Sequence, residues 1–274
     1  MPYRHAHYFV GFVLLVIMAG FWASYFAAEG PAPLAFHVHA ISSMTWLALL
    51  IAQHLTIQRR ANALHRQMGR ASFVLFPFLI LGFMMIINVT SANFAAGGSP
   101  VTAALGPTFG VGMGIAIVAY LTLFYLALKH RRNVKLHAGY MLATPLILFE
   151  SPFSRVMDIY LPWMNVIGSD FPHAILDTIA ISDGLAAGFA LVLWAMNRKH
   201  GAPWLIAAGF TAFQGVVMWF APFIPAITAG FAAYAAIPPA VTLALGIAAG
   251  AATVWLGWEA GKSPKRRTAA AAAG

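Results

Sequence analysis

A glutamate stands between two prolines inside an apolar stretch of the chain, where residues 145–158 read PLILFESPFSRVMD. A carboxyl group in hydrocarbon is costly unless a partner or a proton neutralises it, so such groups are functional candidates. Pro145 and Pro152 each remove a backbone donor and free a carbonyl, as in the broken helices that line transport sites. Glu150 is therefore a candidate for proton handling or substrate binding. The alternative is a structural tie to a neighbouring helix.

Further polar residues follow Glu150 at helical spacing. Ser154 and Asp158 come one and two turns later, so the three side chains share one helix face. Arg155 can reach Asp158 three positions away, or it can extend outward to the membrane interface. The spacing predicts one polar face on this helix.

Two more acids lie in the apolar stretch 173–188, HAILDTIAISDGLAAG. His173 and Asp177 are one turn apart and share a face, whereas Asp183 lies deeper and about 240° round from Asp177. Asp183 is thus a second candidate, with an inter-helix hydrogen bond as the alternative. The predicted substrate or proton site comprises Glu150, Arg155, Asp158, Asp177 and Asp183.

Histidines at two depths of one stretch indicate a different chemistry. His39 and His54 are about 22 Å apart along a helix axis, which is typical of a membrane cytochrome with two haem b groups. Each iron would need a second histidine from another helix at its own depth. The candidate partners are His173 for His39, and His65 or His137 for His54. The alternative is that these histidines only occupy the interfacial layer.

The helix that carries His39 and His54 also has a polar stripe. A stripe of this kind must face protein, a cofactor or water rather than lipid. Its members are His39, Ser43, Trp46, Leu50 and Gln53. A divalent metal is a further hypothesis, with His37, His39, Asp170 and His173 as its ligands.

Composition places these residues in a membrane. Of the 274 residues, 61% are hydrophobic and 8% are charged, against roughly 25% charged in an average soluble domain. Because so few charges cannot cover a soluble surface of this size, lipid must surround most of the chain. The sequence has no cysteine, which excludes disulfides, thiolate metal sites, iron–sulfur clusters and cysteine nucleophiles.

Eight apolar stretches are long enough to cross a bilayer, which takes about 20 mainly apolar residues. We predict an all-α, polytopic transmembrane helix bundle in one domain, residues 1–260, followed by a basic, disordered tail, 261–274. Three glycine pairs at GxxxG spacing predict close helix packing: Gly110 and Gly114, Gly184 and Gly188, and Gly246 and Gly250. The predicted spans are 7–27, 34–57, 71–92, 108–128, 138–160, 172–196, 203–224 and 236–258.

The basic residues predict the orientation of these spans. All lysines and arginines except Arg155 lie before the first span, after the last, or in the turns after the second, fourth and sixth. The positive-inside rule makes these ends cytoplasmic, so both termini are cytoplasmic. The net charge of +9 therefore reflects orientation and not nucleic-acid binding. Alternatively, the first span is a cleaved signal peptide, which leaves seven spans.

The motif RRxxxLH occurs twice, as RRANALH at 59–65 and RRNVKLH at 131–137. Aligning the copies aligns the hairpins 34–92 and 106–160, and a third hairpin, 172–224, has the weaker version NRKHGAPW. The chain is thus predicted to form three helical hairpins between a first and a last helix. The motif residues are predicted to bind lipid headgroups, or else only to signal topology and cap helices. They are Arg59, Arg60, His65, Arg131 and Arg132.

The segments LHRQMGR, 64–70, and RRNVKLHAGYM, 131–141, resemble a pattern in uncharacterised bacterial multipass membrane proteins. The resemblance covers residues 34–160 and implies a location in the bacterial inner membrane, with no activity attached. The second copy departs from the pattern, since Ala138 stands where the first copy has Arg66.

Three classes of function follow. The first is a membrane protein that binds or moves a small solute or protons through an intramembrane polar site. The second is a haem-b redox protein, and the third is an accessory or assembly subunit. The first ranks highest, because intramembrane acids are harder to account for than interfacial histidines. The expected partners are the lipid bilayer and a small-molecule ligand, and nucleic acid is not expected.

Overall fold

The computed structural model describes residues 3–161 and 171–262. It is 86% helical, and the described ranges contain no β-strand. The all-α prediction is confirmed. The helices are α1 (Ala6–Gly20), α2 (Leu34–Gln58), α3 (Asn62–Ala95), α4 (Pro100–Lys129), α5 (Val134–Ile147), α6 (Glu150–Tyr160), α7 (His173–Met196), α8 (Ala202–Phe220), α9 (Pro225–Ala235) and α10 (Pro239–Ala260).

Six of these helices are long and apolar enough to cross a membrane: α2, α3, α4, α7, α8 with its following 3-10 turn, and α10. Two of the predicted spans differ in detail from the helices of the structure. The first is the shorter apolar helix α1 continued by a π-helical turn, Trp22–Phe26. The fifth is divided into α5 and α6, and the short helix α9 was not predicted.

Consecutive long helices pack as hairpins, α2 with α3, α4 with α5 and α7 with α8, while α10 packs on α3 and α4. The centre of the bundle is aromatic. The rings of Phe76 and Phe124 stack with centroids 4.1 Å apart, and Trp46 meets Phe124 edge-on at 5.3 Å. Ser43, Trp46 and Leu50 are buried, so these three members of the polar stripe of α2 face protein, which is one of the three surroundings predicted for it.

The basic turns meet at one end of the bundle, which we call the basic end. It contains the start of the chain and the turns that join α2 to α3, α4 to α5 and α7 to α8. The end of α10 lies there as well. Gln58 Nε2 donates to the Arg4 carbonyl at 2.6 Å, and Trp204 Nε1 donates to the Tyr3 hydroxyl at 3.2 Å. Arg131 reaches the Trp258 carbonyl at the end of α10. The clustering of basic turns expected from the charge pattern is therefore present in three dimensions.

The glycine pairs behave differently from one another. A Cβ at Gly250 would lie 2.7 Å from the Pro77 Cα, and one at Gly246 would lie 2.6 Å from the Met84 Cγ. These two glycines let α10 approach α3 closely. Gly184 and Gly188 of α7 instead face open space, so the predicted close packing is observed for α10 and not for α7.

Candidate functional site

The helix break that positions Glu150 lies between α5, which ends at Ile147, and α6, which begins at Glu150. Pro145 has no N–H to offer the Met141 carbonyl, and the Thr144 hydroxyl donates to that carbonyl at 2.8 Å instead. At the break the backbone forms a turn of the 3-10 type, in which Leu148 N donates to the Pro145 carbonyl, three residues earlier, at 3.2 Å. The break thus divides the predicted span 138–160 within the stretch that Pro145 and Pro152 bracket.

Glu150 is buried where three helices converge. It is the first residue of α6 and is 6% exposed. The N-terminus of a helix carries partial positive charge and favours a carboxyl group. Gln214 of α8, also buried, donates from Nε2 to Glu150 Oε2 at 3.5 Å, the outer limit of a hydrogen bond. This glutamine joins α8 to the break.

Asp183 of α7 is more deeply buried, with 1% of its surface exposed. Neither of its carboxyl oxygens has a hydrogen-bond partner among the described residues. Gly215 of α8 lies against it, because a Cβ built there would be 2.9 Å from the Asp183 Cβ. The charge that acts on Asp183 is that of Glu150. The structure therefore brings the two acids into one electrostatic site, which we call the carboxyl pair.

The carboxyl pair lies at the middle depth of the bundle. Asp183 is ten residues from the start of α7, or about 15 Å along the axis, which is half of a hydrocarbon core of about 30 Å. Gln214 lies twelve residues into α8 from the basic end. Both distances place the pair far from either surface.

Arg155 belongs to the same region but forms no ion pair with any of the described residues. Its Nη1 donates to the Ser151 carbonyl at 2.7 Å and to the Ser151 hydroxyl at 2.8 Å. The guanidinium carbon lies 4.7 Å from the centre of the Phe21 ring, at the end of α1. Asp158 is exposed. Arg155 thus turns back toward the start of α6 and away from the predicted partner.

Asp177 and His173 lie nearer the end of the bundle opposite the basic end. Trp219 Nε1 of α8 donates to Asp177 Oδ1 at 2.8 Å, and Asp177 is 1% exposed. His173 stacks on Phe223 with centroids 5.2 Å apart. Asp177 therefore helps to tie α7 to α8, and the structure does not place it in hydrogen-bonding contact with the carboxyl pair.

The histidines proposed as haem ligands are not brought together in the predicted pairs. His39 packs against Phe83 with ring centroids 4.9 Å apart. It lies on α2, which packs on α1, α3 and α5, whereas His173 lies on α7, which packs on α5, α6 and α8. The two histidines thus lie on helices whose packing neighbours largely differ, and the haem pairing stays a prediction.

His54, the second histidine proposed as a haem ligand on α2, contacts residues near the start of the chain. His54 lies beside His7, with ring centroids 5.1 Å apart, and its Nε2 is 3.2 Å from the Arg4 carbonyl. The described ranges contain no group of three or more His, Asp or Glu residues that could hold a metal. Asp170, named in the metal hypothesis, lies outside the described residues.

The repeated motif residues have distinct positions at the basic end. His65 and His137 are each the fourth residue of their helix, α3 and α5, and lie near enough to interact electrostatically. His137 Nδ1 is 2.9 Å from the Ala127 carbonyl at the end of α4. This histidine therefore closes the α4–α5 hairpin.

Arg131 joins the turn after α4 to the end of α10. Its Nη1 donates to the Trp258 carbonyl at 2.8 Å, and its guanidinium lies over the Trp258 ring at 4.0 Å. Partial burial and the neighbouring Arg132 lower the pKa of Arg131 from its usual value. The other three motif arginines, Arg59, Arg60 and Arg132, are exposed and remain available to headgroups.

Two residues of the site, Gln214 and Trp219, escaped the sequence analysis. Gln214 is the only amide in the apolar run AAGFTAFQGVVMWF of α8. A lone amide in the middle of a membrane helix is the same kind of signal that identified Glu150, and it could have been found in the same way.

Comparisons with protein-family models, curated proteins and solved structures found no match. The function therefore has to be inferred from the fold and the site. Six apolar helices are compatible with a multipass integral membrane protein, and the carboxyl pair is its most unusual internal feature.

Proposed function

We propose that this chain is a multipass protein of the bacterial inner membrane that exchanges protons, or a small solute with them, at the Glu150–Asp183 pair. The observation that carries the proposal is Asp183, which is fully buried with both carboxyl oxygens unpartnered in the described structure. Glu150 acts on it from the neighbouring helix.

The physical reason is the cost of burying charge. Two carboxylates that share an apolar site repel each other, so at least one of them holds a proton or a bound cation. A structural acid in a bundle would instead be expected to use its oxygens as hydrogen-bond acceptors, as Asp177 does with Trp219.

The helix break supports the same proposal. The interruption between α5 and α6 ends one half-helix and starts another at the depth of the pair. Transporters use such discontinuous helices to place backbone polar groups at a midplane site. α1 contacts the second half directly, through Gly20 and Pro152, so the first helix lies against the turn that carries Glu150.

Eight spans with both termini in the cytoplasm complete the proposal. Six spans are the long apolar helices, and the other two are α1 with its π-helical turn and α5 with α6. The basic end then faces the cytoplasm by the positive-inside rule. The exposed arginines Arg59, Arg60 and Arg132 would contact anionic headgroups there.

The test is proton flux in liposomes that contain the purified chain and a pH-sensitive dye, driven by an imposed pH gradient. Glu150→Gln and Asp183→Asn should each reduce the flux by about tenfold or more, since each removes an essential proton carrier. Asp158→Asn is the matched control, because Asp158 is an exposed acid on the same helix, and it should retain the flux.

A result in which all three variants conduct protons like the unmodified chain would refute the proposal. The absorption spectrum of the same preparation tests the haem alternative. A Soret band that is lost in His39→Ala or His54→Ala would favour a haem-b protein and require those histidines to move from their present neighbours.

A further inference from the structure

Arg155 is a cation placed beside the carboxyl pair but paired with neither acid. Both of its observed hydrogen bonds come from Nη1 and end on Ser151. A guanidinium has five N–H donors in a rigid fork, so most of this donor set is uncommitted in these contacts. The side chain is held against the Phe21 ring and not against an anion.

Acidic, neutral polar and aromatic groups from several helices surround the region of Arg155. From its own helix, Glu150 and Asp158 act on it, and Glu150 in turn acts on Asp183 of α7. α8 offers the neutral amide of Gln214, and α1 offers Phe21 and Gly20. Among the described residues, Arg155 has no acid within the 4.0 Å of an ion pair.

Arg155 bonds to Ser151, the residue that directly follows Glu150 in the chain. The guanidinium already touches Ser151, and Glu150 is the preceding residue, with Cα atoms about 3.8 Å apart. The Glu150 and Ser151 side chains leave α6 about 100° apart, so the guanidinium would swing round the start of the helix to pass from the Ser151 oxygens to the Glu150 carboxylate, with which it already interacts electrostatically. Arginine suits this contact because its fork matches two carboxylate oxygens.

We propose that Arg155 is the internal counter-ion of the carboxyl pair. When Glu150 releases its proton to water, the guanidinium leaves Ser151 and binds the carboxylate that remains. When Glu150 takes up a proton, Arg155 returns to Ser151 and Phe21. This inference rests on the proposed proton exchange and adds its regulation.

The inference also defines the substrate class of the pair. Because the positive charge that replaces the proton is supplied by the protein, no sodium or other alkali cation has to enter the site. The pair would therefore exchange protons selectively. A site that lacked Arg155 would have to take its counter-charge from solution.

The experiment uses dicyclohexylcarbodiimide, which modifies protonated carboxyl groups in apolar surroundings, on the purified full chain in liposomes. Labelling of Glu150 is measured by mass spectrometry across pH, in sodium chloride or in choline chloride. For the unmodified chain, the pH at which labelling falls by half should be the same in both salts.

Three variants separate the role of Arg155 from general damage. Arg155→Gln should raise the half-labelling pH by about one unit or more, since an opposite charge within reach favours the carboxylate, and sodium should now protect Glu150. Arg155→Lys should restore most of the shift. Ser151→Ala removes one of the two Ser151 acceptors, so it should lower the half-labelling pH. Arg132→Gln, an exposed cation at the basic end, is the matched control and should change nothing.

Equal half-labelling pH values in the unmodified chain and Arg155→Gln would overturn the inference, and so would sodium protection of the unmodified chain. Those results would leave proton flux, and hence the proposed function, intact. Absence of Glu150 labelling at every pH, in protein that elutes as a single folded species, would overturn the proposed function together with the inference. If Arg155→Gln does not fold, Arg155→Lys and Ser151→Ala carry the test.

Discussion

Gly20 of α1 lies directly against Pro152 of α6. A Cβ built at Gly20 would lie 2.9 Å from the Pro152 Cα and would overlap its carbonyl group. The first helix therefore rests on the turn that begins at Glu150, and the absence of a side chain at Gly20 permits the approach. A contact between two backbones cannot relax by a rotamer change, so it constrains both helices.

Gly20→Ala should destabilise the protein by about 1–3 kcal/mol, the usual cost of overpacking, because α1 and α6 must separate. Thermal unfolding in detergent measures the loss. Gly11→Ala is the matched control: it lies on the same helix, nothing lies within 4 Å of its built Cβ, and alanine favours helix by about 0.5–1 kcal/mol. Equal melting temperatures for the two variants would contradict the close contact.

The hydrogen bond from Trp46 Nε1 to the Thr144 hydroxyl, 2.9 Å long and buried, joins α2 to α5. Thr144→Val should cost about 1–3 kcal/mol, because it leaves the indole N–H and the Met141 carbonyl without a partner. Thr211→Val should cost less, since that hydroxyl bonds only to carbonyls of its own helix. In a Trp46→Phe background the cost of Thr144→Val should fall, and an unchanged cost would argue against the bond.

Arg131→Ala should loosen the end of α10, because the Trp258 carbonyl loses its donor and the Trp258 ring its cation. The expected loss is about 1–2 kcal/mol, seen as faster amide hydrogen exchange in the last turn of α10. Arg132→Ala removes an exposed neighbour with the same charge and should leave that exchange unchanged. Faster exchange in both variants would indicate that net charge, and not the cap, holds the helix end.

The chain contains no cysteine, so single-cysteine variants report topology without background. Ala63→Cys lies at the start of α3 at the basic end, and Ala96→Cys lies at the turn before α4; both positions are exposed. In intact cells an impermeant maleimide should label Ala96→Cys alone, while permeabilised cells should show both. Equal labelling in intact cells would be incompatible with the proposed orientation.

Several features were correctly predicted because their causes are local. A run of about 20 apolar residues must form a helix in lipid, since every backbone group has to be satisfied within the segment. Pro145 leaves the Met141 carbonyl without its usual backbone donor wherever its helix packs, because the proline ring replaces the N–H. The break before Glu150 and the common end of the basic turns follow from this kind of information.

The partners of the polar side chains could not be predicted in the same way. His54 lies beside His7, a neighbour that the spacing along α2 did not indicate. Asp177 received Trp219 as its partner, and Arg155 bonded to Ser151 in preference to Asp158. Helical spacing gives the face on which a residue lies, but it does not say which helix will cover that face.

The sequence by itself determined the helical segments, the break at Glu150 and the sidedness of the charges, because chain length, proline geometry and net charge act within each segment. Tertiary structure alone decided that Glu150, Asp183 and Gln214 share one buried site. In lipid, no hydrophobic force selects one apolar helix face over another. The choice of neighbours rests on the fit of small and large side chains, such as Gly215 against Asp183, and that fit exists only in the assembled bundle.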